Sequence, residues 1–411
     1  MKAVGIEAIN IYCGETYIEV STLFDARKLD RSRMDNLMMK RKSVALHCED
    51  AVSYAVNAAK PLVDALSEAD RNSIELLIVG TESGIDFGKA ISTYVHDKLG
   101  LSKSCRLFET KQACYAGTAG LQMAASVVAA SPFPDVRALV ISSDVARTLP
   151  NTYAEPSQGV GAVAMLVSRN PKIAEIDFGM SGFHSYEVMD TCRPTAEIET
   201  GDADISLLSY IDCLEHAYRD YERKVEGADF QSTFDFLAMH TPFPGMVKGA
   251  HRTLLRRLKR LPPPEIESDF ERRLRPSLLY CQEVGNIYGG TAFLAIVSTI
   301  ENAPLSGEQR VGVFSYGSGC SSEFYSIIIS PTSRSELGRM GVAEGLAARH
   351  SLRMEEYDEL LALNGALKFG AQDYKVDLSR LPHITRNLRT RKRLVLTEIK
   401  NYHRQYEWLS A

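Results

Sequence analysis

The cysteine in "ETKQACYAGTAGLQMAASVV" (Glu109 to Val128) sits where a polar lead-in gives way to a run of small apolar residues. Cys114 therefore stands near the start of an expected helix. There the helix dipole and unpaired backbone N–H groups lower a thiol's pKa, and the same N–H groups can hold an oxyanion. That is the chemistry of nucleophilic acyl transfer. Three more polar residues lie where an apolar run meets a turn: Glu82 in "GTESGID", His240 in "MHTPFPG" and Asn286 in "GNIYGG". In an open α/β sheet such ends converge on a ligand crevice. Each residue alone also has an ordinary reading. A buried cysteine is a small hydrophobe, a glutamate suits a helix start, an asparagine suits a turn, and a histidine ending a strand bonds to backbone. Their joint placement is what singles them out.

The elements that must position these residues alternate along the chain. "ELLIVGTES" (Glu75 to Ser83), "RALVISSDVA" (Arg137 to Ala146) and "GAVAMLVS" (Gly161 to Ser168) read as buried strands, with the Cys114 helix between the first two. "FDFLAMHTP" (Phe234 to Pro242) reads as a strand ending in His240, and "VGNIYGGTAFLAIVSTI" (Val284 to Ile300) as a Gly-rich turn entering an apolar helix. "RVGVFSYGSGCSSEFYSIII" (Arg310 to Ile329) reads as strand, Gly-rich turn and strand. The repeated order of strand, turn and helix implies two similar α/β halves. Arg252 to Arg275, basic with a triple proline, reads as a surface excursion between helices. Beyond Ser330 the charged helical tail, with "RNLRTRKRLVL", reads as an added edge strand or a cap on a helix layer.

Composition narrows the class. The chain has 411 residues, is 45% hydrophobic and carries a formal net charge of -5, which gives no reason to expect nucleic-acid binding. No apolar run approaches the ~20 residues of a membrane span, and the N-terminus shows no export signal. Eight cysteines without CxxC or regular spacing argue against zinc and against a disulfide framework, so the expected setting is a reducing cytoplasm.

The motifs "GTESGID", "ETKQACYAGTAGL", "EPSQGVGAVAML", "MHTPFPGMVKGA", "GNIYGGTAFL" and "SYGSGCSSEF" run in order from about Gly5 to about Ser330. Together they resemble the 3-hydroxy-3-methylglutaryl-CoA synthase family of the thiolase-like superfamily. The opening, from "GIEAINIYCGE" to "NAAKPL", resembles most closely the polyketide β-branching branch, the hydroxymethylglutaryl-ACP synthases. The resemblance implies a thiolase-like α/β/α/β/α sandwich of two duplicated halves with mixed five-stranded sheets. Residues 1–170 would hold the nucleophile, and 171–411 would hold His240, Asn286 and a charged helical extension after about 331. It makes Cys114 the acetyl-accepting nucleophile, Glu82 the base toward the acetyl methyl, and His240 the residue that polarises the acceptor's thioester or ketone oxygen. Asn286, Ser318, Tyr288, Gly317 and Lys248 match substrate-binding positions. Gly289 stands where a small polar residue is usual, and Arg147-Thr148 departs from the Arg-Tyr of mevalonate-type members, so Tyr153 receives no role. The resemblance further implies no metal or organic cofactor, a homodimer, and donor and acceptor acyl carrier proteins as partners.

Mevalonate-type members carry several lysines after the histidine, where they grip CoA phosphates. Here the segment reads "HTPFPGMVKGAHR": Lys248 remains, while Pro244-Gly245 and Gly249 stand where lysines are expected. Fewer cations weaken binding of the adenosine phosphates and cost a carrier-bound arm nothing. Two basic runs, Arg252, Arg256, Arg257, Lys259, Arg260 and Arg386, Arg389, Arg391, Lys392, Arg393, are candidate docking patches for an acidic carrier or simply solvated helix faces. A CoA-dependent synthase and a silent scaffold are the competing readings. A decarboxylating ketosynthase would need a second histidine where this chain has Glu82.

Overall fold

Alternation along the strands decides the layering. In the computed structural model, which describes residues 3–146, 149–152, 154–195 and 198–410, successive side chains of each strand point to opposite faces. On β1 (Gly5–Tyr12), β2 (Ile74–Gly80), β3 (Arg106–Thr110), β4 (Arg137–Val145) and β5 (Val160–Ser168) this splits the apolar residues between two cores. Leu77, Val79, Leu139, Ile141, Ala162, Ala164 and Leu166 face an outer core with helix α1 (Ala51–Asp64). Leu76, Ile78, Ala138, Val140, Val163, Met165 and Val167 face a middle core with helix α2 (Ala116–Ala130). The later strands are β6 (Ala174–Ser185), β7 (Phe236–Met239), β8 (Gln309–Gly317) and β9 (Ser321–Ile329). They repeat the split: Phe236, Ala238, Val311, Val313 and Ile327 join the middle core, while Leu237, Met239, Phe314 and Phe324 face a third core. That third core is closed by α3 (Ala203–Lys224) and α4 (Pro244–Lys259), and α5 (Gly290–Asn302) lies in the middle core with α2. The result is the helix–sheet–helix–sheet–helix order of a thiolase-like fold.

The nine strands form one hydrogen-bonded sheet in the order β7-β8-β9-β6-β1-β5-β4-β2-β3. Pairs β2·β3, β2·β4 and β7·β8 are parallel, and the rest are antiparallel. Five strands precede residue 170 and four follow it, where five in each half were expected. The two sets join because β6 pairs with β1 through Gly5 with Glu175 and Ile6 with Ala174.

Two other expectations need correction. Arg252 to Arg275 is no mere surface excursion. Leu254, Leu255, Ile266, Phe270 and Leu274 belong to the third core, while Arg252, Arg256, Arg260, the prolines 262–264, Arg272 and Arg275 are exposed on the other side. Helical spacing hid this, because the cations and the apolar residues share the segment on opposite faces. The expectation of no run near membrane-span length also fails by length and composition alone, because Ala113–Ala130 around the Cys114 helix is long and apolar enough to cross a membrane. Half of it is buried, against the other elements of the middle core. Both alternatives for the tail form: His350–Ser351 adds a short strand parallel to Thr16–Glu19 at the edge of a small sheet, and the rest of the tail is a cap. Its helices and a three-stranded sheet (Tyr374–Lys375, Leu394–Lys400, His403–Trp408) close the outer core, with Asn57 of α1 exchanging two hydrogen bonds with the Leu394 backbone.

Arg273 is the largest fully buried side chain among the described residues, and its interactions fix the segment after α4. Its guanidinium holds Asp269 through both carboxylate oxygens (2.7 and 2.8 Å) and donates to the carbonyls of Phe230 and Phe234 (2.7 and 3.2 Å). Arg273→Met removes the bidentate cation and leaves a buried carboxylate held by His251 and, at 3.6 Å, by the exposed Arg272, together with two orphaned carbonyls. The expected loss of stability is ~3–5 kcal/mol in urea unfolding; a loss below about 1 kcal/mol would contradict this account.

Candidate active site

The nucleophile turn is shaped by backbone strain and clamped by two glycines. Ala113 has φ 44°, a left-handed conformation unusual for alanine, and it swings the chain from β3 into α2. Tyr115 N–H then bonds to the Gln112 carbonyl (3.0 Å) and Ala116 N–H to that of Ala113 (3.1 Å). Gly317, at the end of β8, packs against this turn so tightly that a Cβ would lie 2.3 Å from the Gln112 oxygen. Gly289, before α5, faces it from another side: a Cβ there would stand 2.9 Å from Ser142 Oγ and 3.1 Å from the Cys114 oxygen. These contacts leave little room for the small polar residue usual at this place in the family. Tyr288 (φ 52°) bends the chain into α5 as Ala113 does into α2.

Cys114 Sγ lies 2.9 Å from Glu82 Oε1. Burial, and then the charge of Asp144, pushes the Glu82 carboxyl well up from the usual range. Burial, and then the charge of Glu82, pushes the Cys114 thiol up as well. The sequence reading expected a thiol pKa lowered by the helix end. The structure reverses the sign, because Cys114 sits before the first helical residue, is enclosed, and faces a carboxylate. The resting site holds a protonated thiol donating to a carboxylate of raised basicity rather than a preformed thiolate.

Asp144, at the end of β4, fixes the base. Its Oδ1 accepts from Thr81 Oγ1, Glu82 N–H and Ser83 Oγ (3.1, 2.8 and 2.9 Å). Arg193, on the hairpin of Thr191–Thr195 and Ile198–Gly201, donates to the Glu82 carbonyl (2.9 Å), to Glu199 (2.6 Å) and to the Tyr288 hydroxyl (3.0 Å). Tyr288 in turn donates to Glu199 (2.9 Å). Asn286 Oδ1 caps the Tyr288 N–H at 2.9 Å.

His240 follows β7 and is buried, and burial holds its imidazole down to about 3, so the ring is neutral. Its Nδ1 stands 2.6 Å from Thr291 Oγ1, whose own proton goes to the Tyr288 carbonyl (2.7 Å). With that proton committed, Nδ1 carries the N–H of the contact and the lone pair stays on Nε2. Tyr210 OH supports the His240 carbonyl at 2.7 Å.

Glu82, Cys114, His240, Asn286, Tyr288 and Ser318 all line one cavity of about 1200 Å³, which also takes in Arg193 and Glu199. Gly317 lies behind the nucleophile turn rather than on the cavity wall. Lys248 is not brought to the cavity either: it pairs with Glu267 (2.5 Å) and lies over the Phe270 ring. Arg147, Thr148 and Tyr153 lie outside the described residues. Sequence reasoning missed Arg193, Glu199, Asp144 and Thr291. Only Asp144 carried a readable signal, as an acid inside the apolar run "RALVISSDVA".

Glu82→Gln removes the anion that raises the thiol. The pH midpoint for iodoacetamide alkylation of Cys114, followed by peptide mass spectrometry, is expected to fall relative to the unmodified protein. A midpoint that stays or rises would contradict the shared electrostatics of the pair.

The pattern described as hydroxymethylglutaryl-coenzyme A synthase N terminal matches residues 1–172, and its C-terminal counterpart matches 265–407. The chain is 49% identical to the Bacillus subtilis polyketide biosynthesis 3-hydroxy-3-methylglutaryl-ACP synthase PksG over all of both chains. It superposes on the curacin biosynthetic pathway HMG synthase, solved in complex with apo donor-ACP, with a TM-score of 0.96 and 55% identity, covering 99% of this chain and 100% of that one. The hydroxymethylglutaryl-CoA synthase of Enterococcus faecalis is 33% identical over 87% of this chain and 91% of its own. With these matches spanning both the nucleophile turn and the Asn286 turn, the chain belongs to the hydroxymethylglutaryl-CoA synthase family.

Proposed function

We propose that the protein is a hydroxymethylglutaryl-ACP synthase of polyketide β-branching, in which Cys114, Glu82 and His240 carry the reaction. The observation that carries this reading is the 2.9 Å contact of thiol and carboxyl inside a cavity that His240 also lines. Acetyl from a donor carrier protein's pantetheine thioester passes to Cys114. The thiol's proton moves to Glu82 and then to the departing pantetheine thiolate. Glu82 next removes a proton from the methyl of the Cys114-bound acetyl group, and the enolate adds to the β-ketone carbon of an acceptor on a second carrier protein. The proton taken by Glu82 ends on the new alkoxide, with His240 Nε2 as the group able to relay it. Water then cleaves the enzyme thioester, releasing a carboxylate and restoring the thiol. The residues named supply every proton movement, and no metal or organic cofactor is part of the reading.

Identity supports the carrier-dependent branch: 49% to the synthase named for ACP against 33% to the one named for CoA. Local packing supports it too. A side chain at Gly245 would begin 1.7 Å from the Asn36 carbonyl oxygen, so a phosphate-gripping lysine has no room there. A homodimer belongs to the same reading. β3 is the open edge of the sheet beside the nucleophile turn, and Met123 and Val127 expose apolar side chains one turn apart on α2. The described cysteines are all free thiols, which fits a reducing cytoplasm.

Intact-mass measurement after mixing with acetyl-carrier protein is expected to show one acetyl adduct on the unmodified protein and none on Cys114→Ser. Glu82→Gln is expected to keep the adduct once formed, while condensation with a β-ketoacyl carrier falls about 10²–10⁴-fold. Equal loading from acetyl-CoA would favour the CoA-dependent synthase, and no adduct from either donor would remove Cys114 from its role.

A further inference from the structure

Away from the cavity, the fold gathers three side chains that the proposed reaction does not use. His184, near the end of β6, meets Asp212 and His216, which stand one turn apart on α3. His184 Nε2 lies 3.3 Å from Asp212 Oδ2, and His216 Nδ1 lies 3.3 Å from Asp212 Oδ1. One ligand atom of each lies within 4.8 Å of the other two. A nitrogen–oxygen gap of 3.3 Å is long for a charge-assisted hydrogen bond, which closes to about 2.7–2.9 Å. Each gap, to a different oxygen of Asp212, is close to the about 3.4 Å that zinc bonds of about 2.0–2.1 Å set between two ligand atoms. We propose that His184, Asp212 and His216 bind a divalent transition-metal ion of the zinc class, with the remaining coordination open to water.

The chemistry of the donors fits. Two imidazoles and one carboxylate form a common ligand set for such ions, and Asp212 pairs with no lysine or arginine among the described residues. A second cluster of the same composition, His350, Glu356 and His383, is less suited. There Glu356 already accepts from the Arg353 N–H (2.8 Å) and guanidinium (3.1 Å) and contacts His383 (2.8 Å). In the metal-free site the His216 Nδ1–H donates to the Asp212 carbonyl at 2.9 Å, and the two rings stand 4.6 Å apart at 22°. Binding moves that proton to Nε2 and turns the half-exposed rings toward the ion. The ion would then tie β6 to α3, the helix whose Tyr210 supports His240. Spacing in the sequence could not show this, because the strand and the helix supply separate ligands.

Zinc alone, competed against a chromophoric chelator, is the probe, with cobalt absorption reporting the coordination. One equivalent per chain is expected for the unmodified protein. Affinity should fall ~10-fold or more in His184→Ala, His216→Ala and Asp212→Asn, and stay unchanged in His383→Ala. Circular dichroism should be the same for all five proteins. Absence of binding at tens of micromolar zinc would overturn the assignment, as would unchanged affinity in a His184→Ala, His216→Ala double variant. These measurements do not depend on acetyl transfer, so they can fail while the proposed reaction stands.

Discussion

Most of what this fold does around its cavity follows from holding a thiol 2.9 Å from a carboxyl group out of water. Burial raises the proton affinity of both, the Glu82 charge raises the thiol further, and the thiol's hydrogen bond tempers the rise of the carboxyl. Glu82, Asp144 and Glu199 stand around Cys114 with Arg193 as the cation bonded among them. Full ionisation would leave a net negative cluster in a low dielectric, so the site retains protons. Proton retention suits the work proposed. A neutral thiol donating to a carboxylate avoids stray alkylation at rest, and the carboxylate gains basicity once the sulfur is acylated and can no longer donate to it.

Keeping that pair in place requires close backbone contact rather than bulk. Ala113 and Tyr288 both adopt left-handed backbone, at a cost of ~1–2 kcal/mol each. Both lie at the entrance to an apolar helix of the middle core, so the burial of α2 and α5 offsets the strain. Gly317 and Gly289 let β8 and the α5 turn press directly on the nucleophile turn. A methyl group at either position would move Cys114 relative to Glu82, and proton transfer tolerates little of that.

Much of this was legible in the sequence, for identifiable reasons. Strands such as "RALVISSDVA" and the Cys114 helix were readable because long apolar runs leave few alternatives, and motif order supplied the catalytic trio. The strand count after residue 170 was not readable, since pairing across β1 and β6 depends on tertiary approach. The buried side of Arg252 to Arg275 was masked by its cations. The sign of the Cys114 shift was missed because helix position is local information, whereas burial and the Glu82 contact are not. Arg193 and Thr291 act through partners distant in the chain, at Glu82 and His240, and no spacing rule finds such pairs.

The same separation bears on substrate choice. In the proposed reaction every reacting atom lies near Cys114, and nothing there distinguishes a carrier-bound thioester from a CoA ester. Selection must come from the part of the donor beyond its pantetheine arm. At α4 the first turn is spent on packing, with Gly245 against Asn36. Lys248 is held by Glu267, and Arg257 and Lys259 are paired with Glu215 and Asp229. In the second basic run, Arg391 and Arg393 are bound to buried Glu15 and serve the fold. Cations already neutralised by neighbours offer little attraction to the adenosine phosphates. In the proposed reading CoA is disfavoured by binding that is withheld rather than by a clash. Discrimination of that kind falls on ground state and transition state alike, so it weakens CoA esters through KM and leaves the chemistry at Cys114 intact.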